Sequence, residues 1–273
     1  NYHKLEKDAG ENFFTSSDEP RLMLIRFSNS LEVLETLDIG EAMGAQRGID
    51  KYDFIDHGRK LLCSSMEGFF LYDLETGART QYSLDDGLLG INTFGYMEAE
   101  NKILFTAFYN NGSQADSLNV LGSLHLDGTD LEYEKKQTHE WGEIWSFEDF
   151  ALIEDGKWNA DGERASAFCY RDGKIQEWAL ADEYAAIQAS ETGKYFAVQS
   201  RDWAENGNNT GYTVRVYETE GGRLMQEISC PFSETGQDTM LCQCVVSEKA
   251  EAVFLLMCDR ETKKDARFQV LKL

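Results

Sequence analysis

Histidines, serines and carboxylates are the side chains of this chain that could do acid–base or nucleophilic chemistry. A hydrolytic triad needs a histidine base beside a nucleophile, and the Gly-x-Ser-x-Gly turn that exposes a catalytic serine does not occur. Of the four histidines, only His139, in His-Glu-Trp-Gly, lies in a segment that we expect to be a long loop. One histidine is too few for a histidine metal centre. The sequence therefore predicts no catalytic residue, no metal and no cofactor, and it favours a protein that is not an enzyme.

Carboxylates are plentiful, since Asp and Glu together number 49 of the 273 residues. Asp85 and Asp86 are adjacent, and Asp202 lies in another polar segment. Two carboxylates at a suitable separation can hydrolyse glycosidic bonds, so a carbohydrate-active or lyase-type enzyme is the alternative interpretation. A calcium loop is not favoured, because Lys157 occupies the first ligand position of the segment 157–162 that partly resembles one.

The net charge restricts the class of partner. Lys and Arg number 26, which gives a formal net charge of −23 and a pI near 4.5. Nucleic acids and anionic membrane surfaces are bound by clustered basic residues, and pairs such as Lys135–Lys136 form no basic stripe. The longest apolar run, Ala252–Cys258, is far too short to span a bilayer. We expect a monomer that binds a protein, peptide or glycan, with no nucleic acid and no membrane insertion.

The cysteines lack the paired Cys-x-x-Cys spacing of a zinc site. There are six, and most lie in apolar, strand-like runs: Cys63, Cys169, Cys230, Cys242, Cys244 and Cys258. Free cysteine is among the most buried residue types, so we interpret them as small core residues. Cys242 and Cys244 are two residues apart and would share one face of a strand, which leaves half of a disulfide or metal site as the alternative.

The elements that would position these residues repeat along the chain. Segments rich in Val, Phe, Tyr, Leu and Thr are separated by Gly, Asn and Asp, as in many short antiparallel strands. Hairpins with a tight turn are clearest in 69–82 and 214–228, and such turns recur about every 48 residues. A second set of strands, beginning near 60, 102, 151, 194 and 252, has the same period. Each repeat therefore contains four strands, lettered a to d in chain order.

Four strands in a repeat of this length match one blade of a β-propeller. The segment 194–202 followed by 213–222 resembles a degenerate repeat of the WD40-like and TolB-like propeller families, with Tyr217-Glu218 in place of Trp-Asp. The resemblance implies an all-β propeller fold. Counting the repeats predicts six four-stranded blades, with seven as the alternative, and no linker divides residues 1–273, so we expect one domain. Because the last repeat lacks strand d, we expect part of residues 1–16 to pair with it and close the ring.

The resemblance also bears on localisation. TolB-like propellers imply an exported bacterial protein and a place at the cell surface. Cysteines without evident pairing favour a reducing, cytoplasmic compartment instead, and the sequence leaves both open.

The b–c and d–a connections of a propeller share one end of each blade. Several of the b–c connections are long here, at roughly 109–118, 154–163, 200–211 and 259–265, and loops of such length are often functional. They contain acidic residues and rigid aromatic rings, which are favoured anchors for partners. The candidate partner contacts are Tyr109, His139, Trp141, Trp158, Trp203, Asp85, Asp86 and Asp202. The sequence therefore predicts a non-enzymatic binding module whose loop-rich end holds a protein, peptide or glycan, whereas the alternative enzyme would use carboxylates in the central funnel.

Overall fold

The structure is a computed structural model. It describes residues 2–8, 21–45, 48–84, 87–110, 117–133, 141–156, 164–184, 186–232, 239–249, 251–259 and 266–272. The chain divides into two compact units, Asn1–Thr138 and His139–Leu273. Each unit contains three antiparallel sheets among the described residues, numbered 1 to 3 in the first unit and 4 to 6 in the second. The single domain expected over residues 1–273 stays a prediction.

In the first unit, strands that follow one another in the chain are neighbours in the sheet. Sheet 1 contains β1 (Tyr2–Asp8), β2 (Arg21–Phe27) and β3 (Val33–Asp38), and the short helix α1 (Ile39–Met43) follows it. Sheet 2 contains β4 (Lys51–Ile55), β5 (Lys60–Ser65), β6 (Gly68–Asp73) and β7 (Arg79–Tyr82). Sheet 3 contains β8 (Leu88–Met97), β9 (Lys102–Asn110), β10 (Ser117–His125) and β11 (Glu132–Tyr133).

The second unit has the same plan. Sheet 4 contains β12 (Trp141–Ser146), β13 (Phe150–Asp155), β14 (Arg164–Arg171) and β15 (Lys174–Tyr184). Sheet 5 contains β16 (Ala186–Ala189), β17 (Tyr195–Trp203), β18 (Asn209–Glu218) and β19 (Arg223–Pro231). Sheet 6 contains β20 (Thr239–Val246), β21 (Ala252–Asp259) and β22 (Arg267–Lys272).

Tight turns join strand c to strand d. In sheet 4, Arg171 pairs with Lys174 across the two-residue turn Asp172-Gly173, whose φ angles are 51° and 71°. Both central residues of a type I′ turn need positive φ, which glycine adopts without a steric penalty and aspartate tolerates. The repeated hairpins predicted from the sequence are confirmed, as pairs β2–β3, β6–β7, β10–β11, β14–β15 and β18–β19.

The core of each unit lies between neighbouring sheets. Alternate residues of a strand point to opposite faces. Phe196 and Val198 of β17 therefore pack against sheet 4, while Ala197 of the same strand packs against sheet 6. In the first unit, the ring of Phe69 meets those of Phe94 and Phe105 edge-on, at centroid distances of 5.5 and 5.4 Å, between sheets 2 and 3.

The N-terminal strand pairs within its own sheet. β1 lies antiparallel to β2, with Leu5 opposite Leu24 and Asp8 opposite Arg21. The expectation that this segment pairs with the final sheet is therefore wrong for β1, because pairing with the next strand of the chain closes a shorter loop at lower entropic cost. Residues 9–16 lie outside the described residues. Sheet 6 has three described strands, and β22 has only β21 as a neighbour among them.

Cysteines contribute to the core. Cys63, Cys169, Cys230, Cys244 and Cys258 are buried and are not joined by disulfides. Burial raises the pKa of the Cys244 thiol to about 12, which keeps it neutral and unreactive at ordinary pH. The interpretation as core residues is confirmed for these five, while the side chain of Cys242 lies outside the described residues.

Gly68 is expected to be indispensable to the turn that joins β5 to β6. Its φ is 122°, and a Cβ atom there would lie 2.2 Å from the carbonyl oxygen of Tyr82. We predict that Gly68→Ala lowers the free energy of unfolding by roughly 3 kcal/mol or more, because strain and overpacking add. Gly58→Ala is the matched control, since Gly58 has a φ of 79° and no atom within 4 Å of that position.

The control should cost about 1 kcal/mol from backbone strain alone. Urea denaturation of both variants measures the difference. Equal losses of stability would contradict the close approach of β6 to Tyr82.

Candidate functional site

The b–c and d–a connections leave the same end of each sheet, here called the b–c end. Four of the predicted contact residues lie among the described residues: Tyr109, Trp141, Asp202 and Trp203. Each is at the b–c end of its own sheet, in β9, β12 and β17. The other four predicted contacts, Asp85, Asp86, His139 and Trp158, lie outside the described residues.

The segment 200–211 is a hairpin and not the long loop that the sequence predicted. The β17–β18 ladder continues through the pairs Asp202–Gly211 and Trp203–Asn209. The connection itself is the tight turn 204–208, closed by a hydrogen bond of 2.9 Å from the Ala204 N–H to the Asn208 carbonyl. This part of the ladder could not be predicted from the apolar pattern of the sequence, because its residues are polar. Backbone hydrogen bonds between strands do not need apolar side chains.

Asp202 is held in place by two threonines of β18. The Thr213 hydroxyl donates to Asp202 Oδ1 at 2.8 Å, and the Thr210 hydroxyl donates to the Asp202 carbonyl at 3.0 Å. The carboxylate is half-buried. These bonds give Asp202 a structural role in fixing the hairpin.

Trp203 is the aromatic side chain that this hairpin presents to solvent. It is 46% exposed, and the pairing register shifts between Asp202 and Trp203. Such a bulge redirects a side chain away from the regular alternation of the strand. The arrangement therefore offers a bulky ring on a hydrogen-bonded support.

Arg215 of β18 links the three longest strands of sheet 5, because its side chain forms hydrogen bonds to both β17 and β19. The side chain is buried, its Nε donates to Glu227 Oε2 at 2.9 Å, and its Nη1 donates to Ser200 Oγ at 3.1 Å. A buried guanidinium needs such partners to offset its desolvation. Arg215 was not among the residues predicted from the sequence, although a charged residue between Val214 and Val216 in an apolar strand is a usable signal.

The ring of Tyr109 packs directly against the backbone of Gly87. A Cβ atom on Gly87 would come within 2.0 Å of Tyr109 Cε2, so only glycine leaves room for the ring. Tyr109 also meets Tyr133 at a ring-centroid distance of 6.2 Å and is half-buried. Tyr109 is therefore in contact with Gly87, the residue that follows the predicted pair Asp85-Asp86 in the sequence.

Trp141 is part of the core. It is 3% exposed, and its ring meets Phe168 edge-on at 4.9 Å. Packing of this kind stabilises sheet 4 and leaves little of the ring for a partner. The sequence does not show that Trp141 is buried and Trp203 exposed, because the burial of a side chain depends on the neighbouring strands and not on its position near a loop.

Two carboxylates with a lowered pKa lie in c–d turns. The backbone and hydroxyl of Thr76 hold the pKa of Asp73 below its usual value, and the hydroxyl and backbone of Thr129 do the same for Asp127. Both are hydrogen-bond acceptors that stabilise turns. Each lies at the end of its own sheet that is opposite the b–c end, which gives no support to acid–base chemistry at the b–c end.

The described residues form neither a metal-ligand cluster nor a helix that could span a membrane. Within the described ranges, no three His, Cys, Asp or Glu side chains come close enough to hold a metal ion. No helix in that part of the chain has the length and apolarity to cross a membrane.

Comparison with known proteins identifies the fold. No family model and no curated protein matches the sequence. The acylaminoacyl peptidase of Pyrococcus horikoshii is similar in structure, with a TM-score of 0.59, 9% identity, and coverage of 98% of this chain and 43% of the peptidase. TolB from Acinetobacter baumannii has a TM-score of 0.52 and 13% identity over 98% of this chain and 62% of TolB.

The chain has a β-propeller fold. A third similar structure, the tricorn protease, has a TM-score of 0.51 and 10% identity over 92% of this chain and 30% of the protease. This chain therefore spans less than two thirds of each of these proteins. At such low identity the likeness concerns the fold alone, since one propeller scaffold carries many functions.

The propeller assignment explains why the described candidates lie where they do. In each blade, strand b ends and strand a begins at the same end. The TolB-like resemblance stated from the sequence is confirmed at the level of the fold, while the number of blades, six or seven, remains a prediction.

Tryptophan fluorescence tests the different placement of Trp203 and Trp141. We predict that Trp203→Phe lowers the Stern–Volmer constant for acrylamide quenching, because it removes an exposed fluorophore. The matched variant Trp141→Phe should raise that constant, since it removes a buried one. The opposite order of the two variants would contradict the placement.

Proposed function

We propose that this propeller is a non-enzymatic binding module that docks a protein or peptide at the b–c end of sheet 5. The observation that carries the proposal is Trp203, a large and half-exposed ring on a hydrogen-bonded hairpin. Tryptophan is enriched among the residues that dominate binding energy, because it buries a large area with few rotors to freeze.

Rigidity of the support favours binding. Asp202 and Thr213 join the two strands of the hairpin beside Trp203, and Arg215 joins them again to β19. A preorganised contact loses less conformational entropy on association than a flexible loop does. The hairpin can therefore hold the ring ready for a partner at low entropic cost.

The charge of the chain favours a basic partner. With a formal net charge of −23, the protein attracts cationic surfaces and speeds their association at low salt. Most glycans are neutral or acidic and gain nothing from this charge. A basic protein segment is therefore favoured over a glycan.

Peptide and glycan arrays test the proposal. The probes are a printed array of 15-residue peptides graded in charge and a printed glycan array, both read with the labelled full chain. Trp203→Ala should weaken binding to the basic peptides at least tenfold, roughly 1.4 kcal/mol or more. Ile175→Ala is the matched control, because Ile175 is 44% exposed but lies next to a c–d turn of the same unit.

The control variant should bind as the unaltered chain does. Equal binding by the chain and by Trp203→Ala would overturn the proposal, as would binding to glycans alone. Mass spectrometry of the array components tests the enzyme alternative. Cleavage that is lost on substitution of Asp85, Asp86 and Asp202 by Asn would favour the enzyme.

A further inference from the structure

The turn between strands a and b of sheet 5 holds a carboxylate from the corresponding turn of sheet 6. The Thr192 N–H donates to Glu248 Oε1 at 2.8 Å, and the Thr192 hydroxyl donates to Glu248 Oε2. The Ser190 hydroxyl and the Glu191 backbone N–H donate to the same carboxylate. Two successive backbone N–H groups and two hydroxyls therefore converge on one side chain, as in the backbone nests that bind anions.

The turn that supplies these donors is fixed by its other contacts. The Gly193 N–H donates to the Ser190 carbonyl at 2.9 Å, and the Thr219 hydroxyl donates to the Gly193 carbonyl. A Cβ atom on Gly193 would lie 2.6 Å from the ring of Phe147 in sheet 4, so the turn also packs closely against that sheet. Residues 190–193 are therefore arranged to receive a carboxylate by bonds that do not involve Glu248.

The turn that carries Glu248 is ordered as well. The Ser247 N–H donates to the Ala252 carbonyl at 3.0 Å. The Ser247 hydroxyl oxygen accepts from the N–H groups of Glu251 and Ala252 at 3.0 and 3.1 Å. The contact between Thr192 and Glu248, here called the latch, thus joins two folded turns of neighbouring sheets.

A glutamate of the later sheet also links two a–b turns in the first unit. His57 follows β4, Glu98 follows β8, and His57 Nε2 lies 3.7 Å from Glu98 Oε1. That contact is an ion pair only when the imidazole is protonated. The partners of Glu248 are neutral donors, so its bonds depend on the charge of the glutamate alone.

Hydrogen bonding sets the ionisation of Glu248. Burial raises its pKa, but the bonds from Thr192, Ser190 and the Glu191 backbone together hold that pKa below the usual value. The charged side chains of the surrounding turns and strand ends lie largely in solvent, which screens them. They are Glu148, Asp149, Glu191, Lys194, Glu218, Glu220, Arg223, Lys249, Glu251 and Lys272.

We propose that residues 190–193 form a carboxylate-binding site that Glu248 occupies as a latch between sheets 5 and 6, and that protonation of Glu248 opens the latch. A neutral carboxyl group accepts hydrogen bonds more weakly than a carboxylate does. Because the pKa of the bound group is lowered, the latch stabilises the contact fully above the ordinary glutamate value near 4.5 and is lost as the pH falls through the lowered value. The site lies at the opposite end of sheet 5 from Trp203 and does not depend on the function proposed above.

Hydrogen exchange of the full chain tests the latch. At pH 7, Glu248→Ala should speed exchange at 247–253 roughly threefold to tenfold, because the turn loses bonds to a charged acceptor at a largely exposed position. Glu251→Ala is the matched control, since Glu251 is an exposed glutamate of the same turn, and it should leave exchange there unchanged. The difference between Glu248→Ala and the unaltered chain should shrink as the pH is lowered below 4.5.

A conservative variant separates the charge of Glu248 from its shape. Glu248→Gln keeps an acceptor of the same size and loses the negative charge, so its exchange at 247–253 should lie between those of the unaltered chain and Glu248→Ala. In a chain that also carries Thr192→Val, both substitutions of Glu248 should have a smaller effect, because one of the donors is already absent.

Formate tests the binding site itself. Sodium formate, titrated into Glu248→Ala at pH 7 and constant ionic strength, should shift the NMR signals of the Glu191 and Thr192 amides saturably. The unaltered chain should show no such shift, because Glu248 fills the site. Thr192→Val in the Glu248→Ala chain should weaken formate binding about threefold or more, since the hydroxyl donor is lost.

Three results would overturn the proposal. The first is exchange at 247–253 that is the same in Glu248→Ala, Glu248→Gln and the unaltered chain. The second is the absence of a saturable formate shift in Glu248→Ala up to molar formate, or an equal shift in the unaltered chain. The third is a difference in exchange that grows as the pH falls, because Glu248 would then not be the group that opens the contact.

Discussion

Packing of apolar sheet faces against one another is the interaction on which the rest of the structure depends. In the second unit the rings of Trp178, Phe196 and Tyr217 form a continuous stack between sheets 4 and 5, with centroid distances of 5.7 and 5.1 Å. The residues of β17 and β18 that alternate with Phe196 and Tyr217 along the strand, such as Ala197 and Val216, pack against sheet 6. A slip of one residue would exchange the two faces. The register of sheet 5 is therefore fixed from both sides.

That fixed register extends beyond the packed region to the b–c end. Ser200, Asp202 and Thr213 continue the ladder of β17 and β18 with polar side chains, and Arg215 bridges them to β19. Apolar packing fixes the register of β17 and β18 in the core. Hydrogen bonds between polar side chains maintain the same register up to Trp203. The residue that we propose as a partner contact is thus placed on a hydrogen-bonded strand and not on a loop, which is how precise sites are built.

Much of the fold could be predicted from the sequence, and much of the site could not. The hairpins were predictable because turns such as Asp172-Gly173 need residues that tolerate positive φ. The extent of β17 and β18 was not, because a polar ladder has no hydrophobic signature. The burial of Trp141 was not predictable either, since it depends on Phe168 of another strand. The pairing of β1 with β2 was not predictable either. The N-terminal segment could have paired with β2 or with the final sheet, and its own sequence does not favour one of these.

Native-state hydrogen exchange measures the central claim most directly, namely that a rigid ladder supports the exposed ring. The amides of Arg201 and Tyr212 are opposite one another at this end of the β17–β18 pair. The account predicts that exchange at 200–203 and 209–212 is slowed to a degree comparable with the core of β18, for those amides that face the partner strand. Exchange there as fast as at the turn 205–207 would contradict it, because the segment would then be a mobile loop.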